Sequence, residues 1–344
     1  MKDDIVSLKL EDLEKYFSEI GEKKYRAKQV FGWLHKKLET DFYNMSNISA
    51  NLKKTLDDDF HIVKGEILEK HISDKNGTIK YLFKLDDRNI IESVFMKHSY
   101  GNSVCVSTQA GCKMGCAFCA STVNGLSRNL TASEMLTQIY EITKDTNEKI
   151  SNIVLMGSGE PLDNFSNVID FIKIINHEEG LNIGERHITL STCGLVDKMK
   201  ELQDLKLQIT LAISLHAPND EIRRCIMPIA KRYKLNDLLK ACRDYANTTK
   251  RRITFEYSLI NEVNDSVDNA RELSKILKGI MCHVNLIPVN VVSHDDFKSS
   301  SKKEVEDFYN ILKSNGHEVT IRKSLGNDIN ASCGQLRNTK LNTL

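Results

Sequence analysis

From residue 103 to about 325 the chain alternates between short apolar, β-branched runs and longer runs with apolar residues at helical spacing. The short runs are S-V-C-V-S-T (103–108), S-N-I-V-L-M-G (151–157), H-I-T-L-S-T (187–192), Q-I-T-L-A-I-S-L-H (208–216), R-I-T-F-E-Y-S-L-I (252–260) and H-V-N-L-I-P-V-N (283–290). Helical runs such as V-I-D-F-I-K-I-I-N-H and L-N-D-L-L-K-A-C-R-D-Y separate them, and T-A-S-E from Thr131 to Glu134 is a capping box that opens another. Strands joined by helices form parallel sheets with right-handed crossovers. Six such units are too few for the usual eight of a closed barrel. The expected fold is therefore α/β, a curved and open (β/α)6 partial barrel over 101–325.

The flanking segments read differently. Residues 1–70 are expected to form a small helical domain, since Leu10, Leu13, Phe17 and Ile20 recur at helical spacing ahead of Gly21. Within it, Lys23, Lys24, Arg26, Lys28, Lys36 and Lys37 surround Val30, Phe31 and Leu34, and form a candidate phosphate-contact surface. Trp33, the only tryptophan, reads as a packing anchor. Residues 71–100 contain G-T-I-K-Y-L-F-K-L and R-N-I-I-E-S-V-F-M, a β-hairpin extension with Asn76-Gly77 as the turn ahead of it. Glu92 stands in the second of these runs, an acid among apolar neighbours. Burial there would raise its pKa and suit it to proton transfer near neutrality. Residues 326–344 form a polar C-terminal loop.

Composition narrows the setting. At 344 residues, 40% hydrophobic and 28% charged, the chain has enough apolar content to bury a core. No apolar run nears the ~20 residues of a membrane span, and the N-terminal M-K-D-D-I-V-S-L has no signal-peptide core. Nine cysteines, an odd count, argue for a reducing, cytoplasmic setting. A net charge of +1 means that any nucleic acid must be met by local patches. Arg223, Arg224, Lys231, Arg232, Lys250, Arg251 and Arg252 are further candidates for phosphate contact.

Three cysteines stand in one tight loop after the first barrel strand: Cys112, Cys116 and Cys119, spaced C-x3-C-x2-C. Three adjacent thiolates need a positive centre, either an iron–sulfur cluster or a zinc ion with Cys105 as fourth ligand. A [4Fe-4S] cluster held by three cysteines keeps one iron open for a substrate. Other polar or flexible residues fall at the same ends of the later strands: Gly157-Ser158-Gly159-Glu160-Pro161, Ser191-Thr192, Ser214-Leu215-His216 and Asn290. In such barrels that rim carries the chemistry, and a zinc knuckle gives no reason for the clustering. Gly157 and Gly159 would let a ligand approach the backbone closely. Cys333 lies in the C-terminal loop between Gly326 and Gly334.

The C-x3-C-x2-C triplet, with Phe118 before its last cysteine, resembles the signature of radical S-adenosylmethionine (SAM) enzymes. The whole chain resembles the RlmN/Cfr family of radical SAM RNA methyltransferases, through Y-R-A-K-Q-V-F-G-W-L-H, S-T-Q-A-G-C-K-M-G-C-A-F-C-A, G-S-G-E-P-L-D-N, S-T-C-G, S-L-H-A-P-N-D, N-L-I-P-V-N and D-I-N-A-S-C-G-Q-L. G-E-P-L and L-I-P-V-N are similar to the RlmN branch, which methylates adenine C2. The Cfr branch, which methylates C8 and confers antibiotic resistance, typically has alanine after the glutamate and arginine where Pro288 stands. Ser158, in place of the usual methionine, and the short tail beyond Gln335 depart from the pattern.

The resemblance implies one [4Fe-4S] cluster per chain, on Cys112, Cys116 and Cys119, with SAM as the remaining ligand. It implies two SAM molecules per turnover, held by Gly159, Glu160, Ser191, Ser214, Leu215, His216 and Asn290. Cys333 would take a methyl group from the first. A deoxyadenosyl radical from the second would activate that methyl for addition to C2. Glu92 would accept the C2 proton, and Cys105 would release the product through a transient disulfide with Cys333. The implied substrate is 23S rRNA at an adenosine of the peptidyl-transferase centre; some members also modify a tRNA adenosine beside the anticodon. The implied partners are a flavodoxin or ferredoxin as electron donor, with the enzyme a monomer.

Overall fold

The computed structural model describes residues 2–289, 297–322 and 325–336. Three helices, α1 (Leu10–Glu19), α2 (Lys24–His35) and α3 (Ala50–Asp59), build the N-terminal domain. Its ends are tied by a short parallel pair, β1 (Asp3–Asp4) with β2 (Phe60–His61). Leu10, Leu13 and Phe17 of α1 and Ala27, Val30, Phe31 and Leu34 of α2 are buried, as their spacing predicts. Fully burying a side chain of this size contributes about 1.5–3 kcal/mol.

Next come β3 (Glu66–Ile72), β4 (Ile79–Lys84) and β5 (Ile90–Met96), an antiparallel set. The helical reading of 1–70 therefore fails for its last residues, and the extension has three strands from Glu66 rather than a hairpin from 71. E-I-L-E-K-H-I lacks a period of two because β3 is a sheet edge: it is mostly exposed, bulged between Ile67 and Glu69, and carries charges that discourage further pairing.

After β5 the chain enters β6 (Asn102–Cys105), antiparallel to β5 and parallel to β9 (Ile150–Leu155). Between these two strands lie β7 (Gln109–Gly111) and β8 (Leu126–Asn129), an antiparallel pair that brackets the cysteine loop, and α4 (Ala132–Thr146). The remaining elements are α5 (Phe165–Asn176), β10 (Ile188–Thr192), α6 (Val196–Asp204), β11 (Thr210–Ser214), α7 (Asp220–Ile226), α8 (Leu235–Thr249), β12 (Ile253–Leu259), α9 (Val267–Leu277), β13 (Cys282–Pro288), α10 (Lys302–Ser314) and β14 (Glu318–Ile321). The ten-stranded sheet runs β14-β13-β12-β11-β10-β9-β6-β5-β4-β3. The six expected strands are present, and β14 makes a seventh parallel one.

The alternation within these strands explains how a site fits inside. Leu190, Leu211, Ile213, Phe255, Tyr257, Val284 and Leu286 are fully buried in the hydrophobic core. The intervening positions are small or polar: Ser191, Ala212, Ser214, Thr254, Glu256, Ser258, His283 and Asn285. Closed barrels fill that interior with branched apolar residues; this one leaves space. Among the described residues no helix is long and apolar enough to cross a membrane.

The N-terminal domain is fixed to the barrel mainly through α4 and α5. Lys9 pairs with Asp170 at 3.2 Å, and Ser133 N–H donates to Ser7 Oγ at 3.0 Å. Trp33 is half-buried, donates to Asn47 at 2.6 Å and lies under the Lys37 ammonium. His35, fully buried, has Nδ1 2.8 Å from the Tyr140 hydroxyl. Burial holds its ring neutral, with the pKa pushed down to about 3. The unfolded chain binds that proton below about 6.5, so acid favours unfolding between these values. Denaturant titrations at stepped pH are expected to show stability falling below pH ~6.5, with His35 contributing up to about 1.4 kcal/mol per pH unit. His35→Gln is expected to lose that share of the slope; an unchanged slope would contradict it.

Candidate active site

The cysteine loop is folded by its glycines and by contacts with two distant segments. Gly111 has φ +79°, and a Cβ there would run into the Gly125 carbonyl. Cys112 N–H donates to that carbonyl at 2.9 Å. Ala117 N–H donates to Ile226 O at 2.9 Å, and Ala120 N–H to Gly334 O at 2.8 Å. The loop is thus held between the end of α7 and the C-terminal segment. Cys112, Cys116 and Cys119 line one cavity, with Met114 and Phe118 beside them. Burial pushes the Cys112 thiol up to about 12, and Cys116 is raised for the same reason.

These thiols suit an iron–sulfur cluster better than a single ion. A metal must displace their protons, and three soft donors facing one cavity match thiolate ligation of iron. Among the described residues, no three His, Cys, Asp or Glu side chains are grouped as they would be round one metal ion. Cys105, the fourth ligand of the zinc reading, lines a separate chamber.

Gly157, Gly159, Glu160, Ser191, Ser214 and His216 line the same cavity as the three thiols. The glycines have a packing role that their motif did not reveal. A Cβ on Gly157 would lie 2.7 Å from Ser107, and one on Gly159 would lie 2.6 Å from Gln109. Both let the loop after β9 close against the chain leaving β6. Glu160 is buried; its carboxylate accepts from Leu162 N–H at 3.1 Å and Cys193 N–H at 2.7 Å. Burial raises its pKa despite these bonds. The Thr192 and Cys193 side chains also hydrogen-bond to it, so a ligand would share or displace bonds that the chain already makes.

His216 has φ +54°. Its Nδ1 accepts from Ser258 N–H at 2.9 Å, which leaves the proton on Nε2, and Phe118 packs edge-on at 4.7 Å. Burial, with Arg223 nearby, pushes its pKa down to about 3. Leu215 does not line the cavity: its side chain is in the core, and its carbonyl accepts from Arg223 Nε at 3.2 Å. Asn290 lies outside the described residues.

Arg223 overturns its assignment to phosphate contact. It is fully buried on α7, and its Nη2 donates to Cys193 O at 2.7 Å. Its charge works against the upward shift of Cys116. Nothing in R-R at 223–224 marks the first arginine as internal; the only clue is that Arg223 follows the Asn219 cap by one helical turn. Arg224, Lys231, Arg232, Lys250 and Arg252 are exposed, as expected for a contact surface, while Arg251 is half-buried. Cys193 also lines the cavity, and Cys225 is exposed.

Cys333 lines the cluster-loop cavity and also a second chamber of about 550 Å³ that runs down the barrel interior. Cys105, at the end of β6, lines that second chamber. Burial, reinforced by Cys333, pushes the Cys105 thiol up to about 12. Arg322 and Glu256 stand in the wall between the two spaces, 4.0 Å apart, and Asn285 donates to Glu256 at 2.8 Å. Glu92 is buried on β5, two residues before Val94, which lines the second chamber. It borders neither large cavity but a smaller pocket with Ser121 and Ser158. Lys80 reaches it at 3.4 Å and also donates to Asn330 O, so a cation balances the acid beneath the C-terminal loop.

Comparison with known proteins identifies the family. Residues 4–62 match the family described as ribosomal RNA large subunit methyltransferase N-terminal domain, and residues 106–273 match the radical SAM superfamily. The chain is 55% identical to the "Probable dual-specificity RNA methyltransferase RlmN" of Clostridium novyi, over 97% of each chain. It is 54% identical to a protein of the same name from Clostridium perfringens, over 97% of this chain and 96% of that one. Its structure superposes on the crystal structure of a radical SAM methyltransferase from Sphaerobacter thermophilus with a TM-score of 0.92 and 41% identity, covering 97% of this chain and 99% of the other. The chain belongs to the RlmN family of radical SAM RNA methyltransferases.

Proposed function

We propose that this chain methylates C2 of adenosine in RNA, in 23S rRNA and also in tRNA. The large-subunit rRNA named for the N-terminal family and the dual specificity named for the relatives support two RNA substrates. The observation that carries the reading is Cys333, whose thiol borders both the cavity of the three cluster-loop thiols and the chamber of Cys105.

Adenine C2 is electron-poor and has no lone pair, so it cannot attack a methyl donor directly. A [4Fe-4S] cluster on Cys112, Cys116 and Cys119, with SAM, would supply the radical chemistry that avoids this barrier. Glu160, Ser191, Ser214 and His216 would hold SAM, with Gly159 shaping the backbone beside it. Cys333 would carry the methyl group as a thioether; once that methyl has given up a hydrogen atom to the radical chemistry so supplied, its carbon would bond to C2 and link protein to RNA through S–CH2–C2. Glu92 takes the proton from C2, with Lys80 holding its carboxylate in place. Cys105 attacks the Cys333 sulfur, and the resulting disulfide frees the methylated base. The thiolate is the nucleophile, and burial pushes the Cys105 thiol up to about 12, so a base must take its proton for the attack. We also propose that a flavodoxin or ferredoxin supplies the electron, that the enzyme acts as a monomer, and that it works in the cytoplasm, where the disulfide is reduced again.

The test is an anaerobic assay on unmodified 23S rRNA and tRNA, with nucleosides compared by mass spectrometry with 2-methyl- and 8-methyladenosine. Only 2-methyladenosine is expected; 8-methyladenosine or no product would overturn the assignment. Cys333→Ala is expected to abolish RNA methylation, and Cys105→Ala to accumulate a protein–RNA adduct on denaturing gels. Normal turnover by either variant would remove its role. Cys116→Ala is expected to bring iron from about four atoms per chain to near zero by metal analysis, with far-ultraviolet circular dichroism unchanged.

A further inference from the structure

The second chamber reaches Thr210, the first residue of β11, and His283, the second of β13, and so runs away from the cysteine loop toward the other end of the barrel. Its inner wall holds Cys105 and Cys333. Among its other lining residues are His98 and Tyr100, on the turn between β5 and β6. Tyr100 is 73% exposed, the highest value among the exposed large apolar side chains described. Its ring stacks on His98 with centroids 4.7 Å apart and planes 7° from parallel.

The turn is built to hold this pair still. Gly101 N–H closes it by donating to His98 O at 3.1 Å. Gly101 adopts φ +121°, and a Cβ there would lie 2.8 Å from Ser151 on β9, so the turn is pressed against the barrel. An exposed aromatic face on a fixed turn at a chamber mouth wastes apolar surface unless something covers it. The occupant best matched to one flat, solvent-facing ring is another flat ring. Base–aromatic stacking of this kind is how proteins hold unpaired nucleotides.

We infer that Tyr100, backed by His98, is a stacking platform for the nucleobase adjoining the target adenosine. The inference rests on the RNA methyltransferase reading above. The target base must pass inward to reach Cys333, so the exposed ring is left to its neighbour in the chain. Stacking fills the gap left in the RNA when the target leaves its own stack. Tyr100 is a binding residue and touches no reacting atom.

The test uses the cluster-loaded enzyme and a fluorescein-labelled, unmethylated 23S rRNA fragment, with and without an abasic site beside the target. Tyr100→Ala is expected to bind the intact fragment about five- to hundred-fold more weakly and to raise KM accordingly, with kcat little changed. SAM-dependent methylation of Cys333 without RNA, read by peptide mass, is expected to match the unaltered protein. Tyr100→Phe keeps the ring and is expected to bind within about two-fold of normal. The abasic site is expected to weaken binding to the unaltered enzyme but not to Tyr100→Ala. Unchanged affinity in Tyr100→Ala, or an abasic penalty that persists in it, would overturn the platform. Loss of Cys333 methylation in Tyr100→Ala would make the ring a structural prop and would overturn it as well. If the unaltered enzyme methylates no RNA, the function proposed above fails, and this inference with it.

Discussion

The site depends on one backbone hydrogen bond, from Ala120 N–H to the carbonyl of Gly334 at 2.8 Å. It ties the residue after Cys119 to the residue after Cys333. Ser121 Oγ repeats the tie two residues further along, donating to Leu336 O at 2.8 Å. Two segments more than 200 positions apart in sequence are thereby held as one wall. Such bonds are individually modest, about 0.5–1.5 kcal/mol each. Their value here is positional, because they set where the thiol of a C-terminal loop stands relative to a cysteine triplet. Lys80 and Ser73 hold the same segment through Asn330 O and Asp328, and Leu336 is buried beneath it.

The open barrel supplies the space around that wall. Its strands bury apolar side chains outward against the helices and keep threonine, serine and a few charged groups inward. A packed interior would be more stable by the apolar area gained, but it would leave no room for a ligand. The remaining charge is matched locally. Glu256 is held by Asn285 and Arg322, Glu92 by Lys80, and Glu160 by two backbone amides. Arg223 donates to the carbonyls of Leu215 and Cys193. Burying these groups without partners would cost several kcal/mol each.

Much of this plan was legible in the sequence, and the failures have physical causes. The barrel strands announced themselves because their outward faces are apolar and their turns polar. The cysteine triplet and the rim residues followed from position along those strands. β3 escaped because an edge strand facing water has no need of alternation. Arg223 escaped because composition does not separate an arginine that caps buried carbonyls from Arg224 next to it, which faces solvent. Gly157 and Gly159 were read as making way for a ligand, whereas they also make way for Ser107 and Gln109 of the same chain. Glu92 was visible as an acid in a strand, but its cation, Lys80, lies on the neighbouring strand, and only pairing brings them together.

The central claim is that Cys333 and Cys105 share one chamber, with Cys333 also facing the cluster loop. Brief, mild oxidation of the anaerobically purified protein, followed by peptide mapping, tests this without RNA or turnover. The account predicts that the Cys105–Cys333 peptide pair is the principal disulfide among the nine cysteines and is absent from Cys333→Ser. Cys333 found mainly joined to exposed Cys225, with Cys105 still reduced, would contradict it.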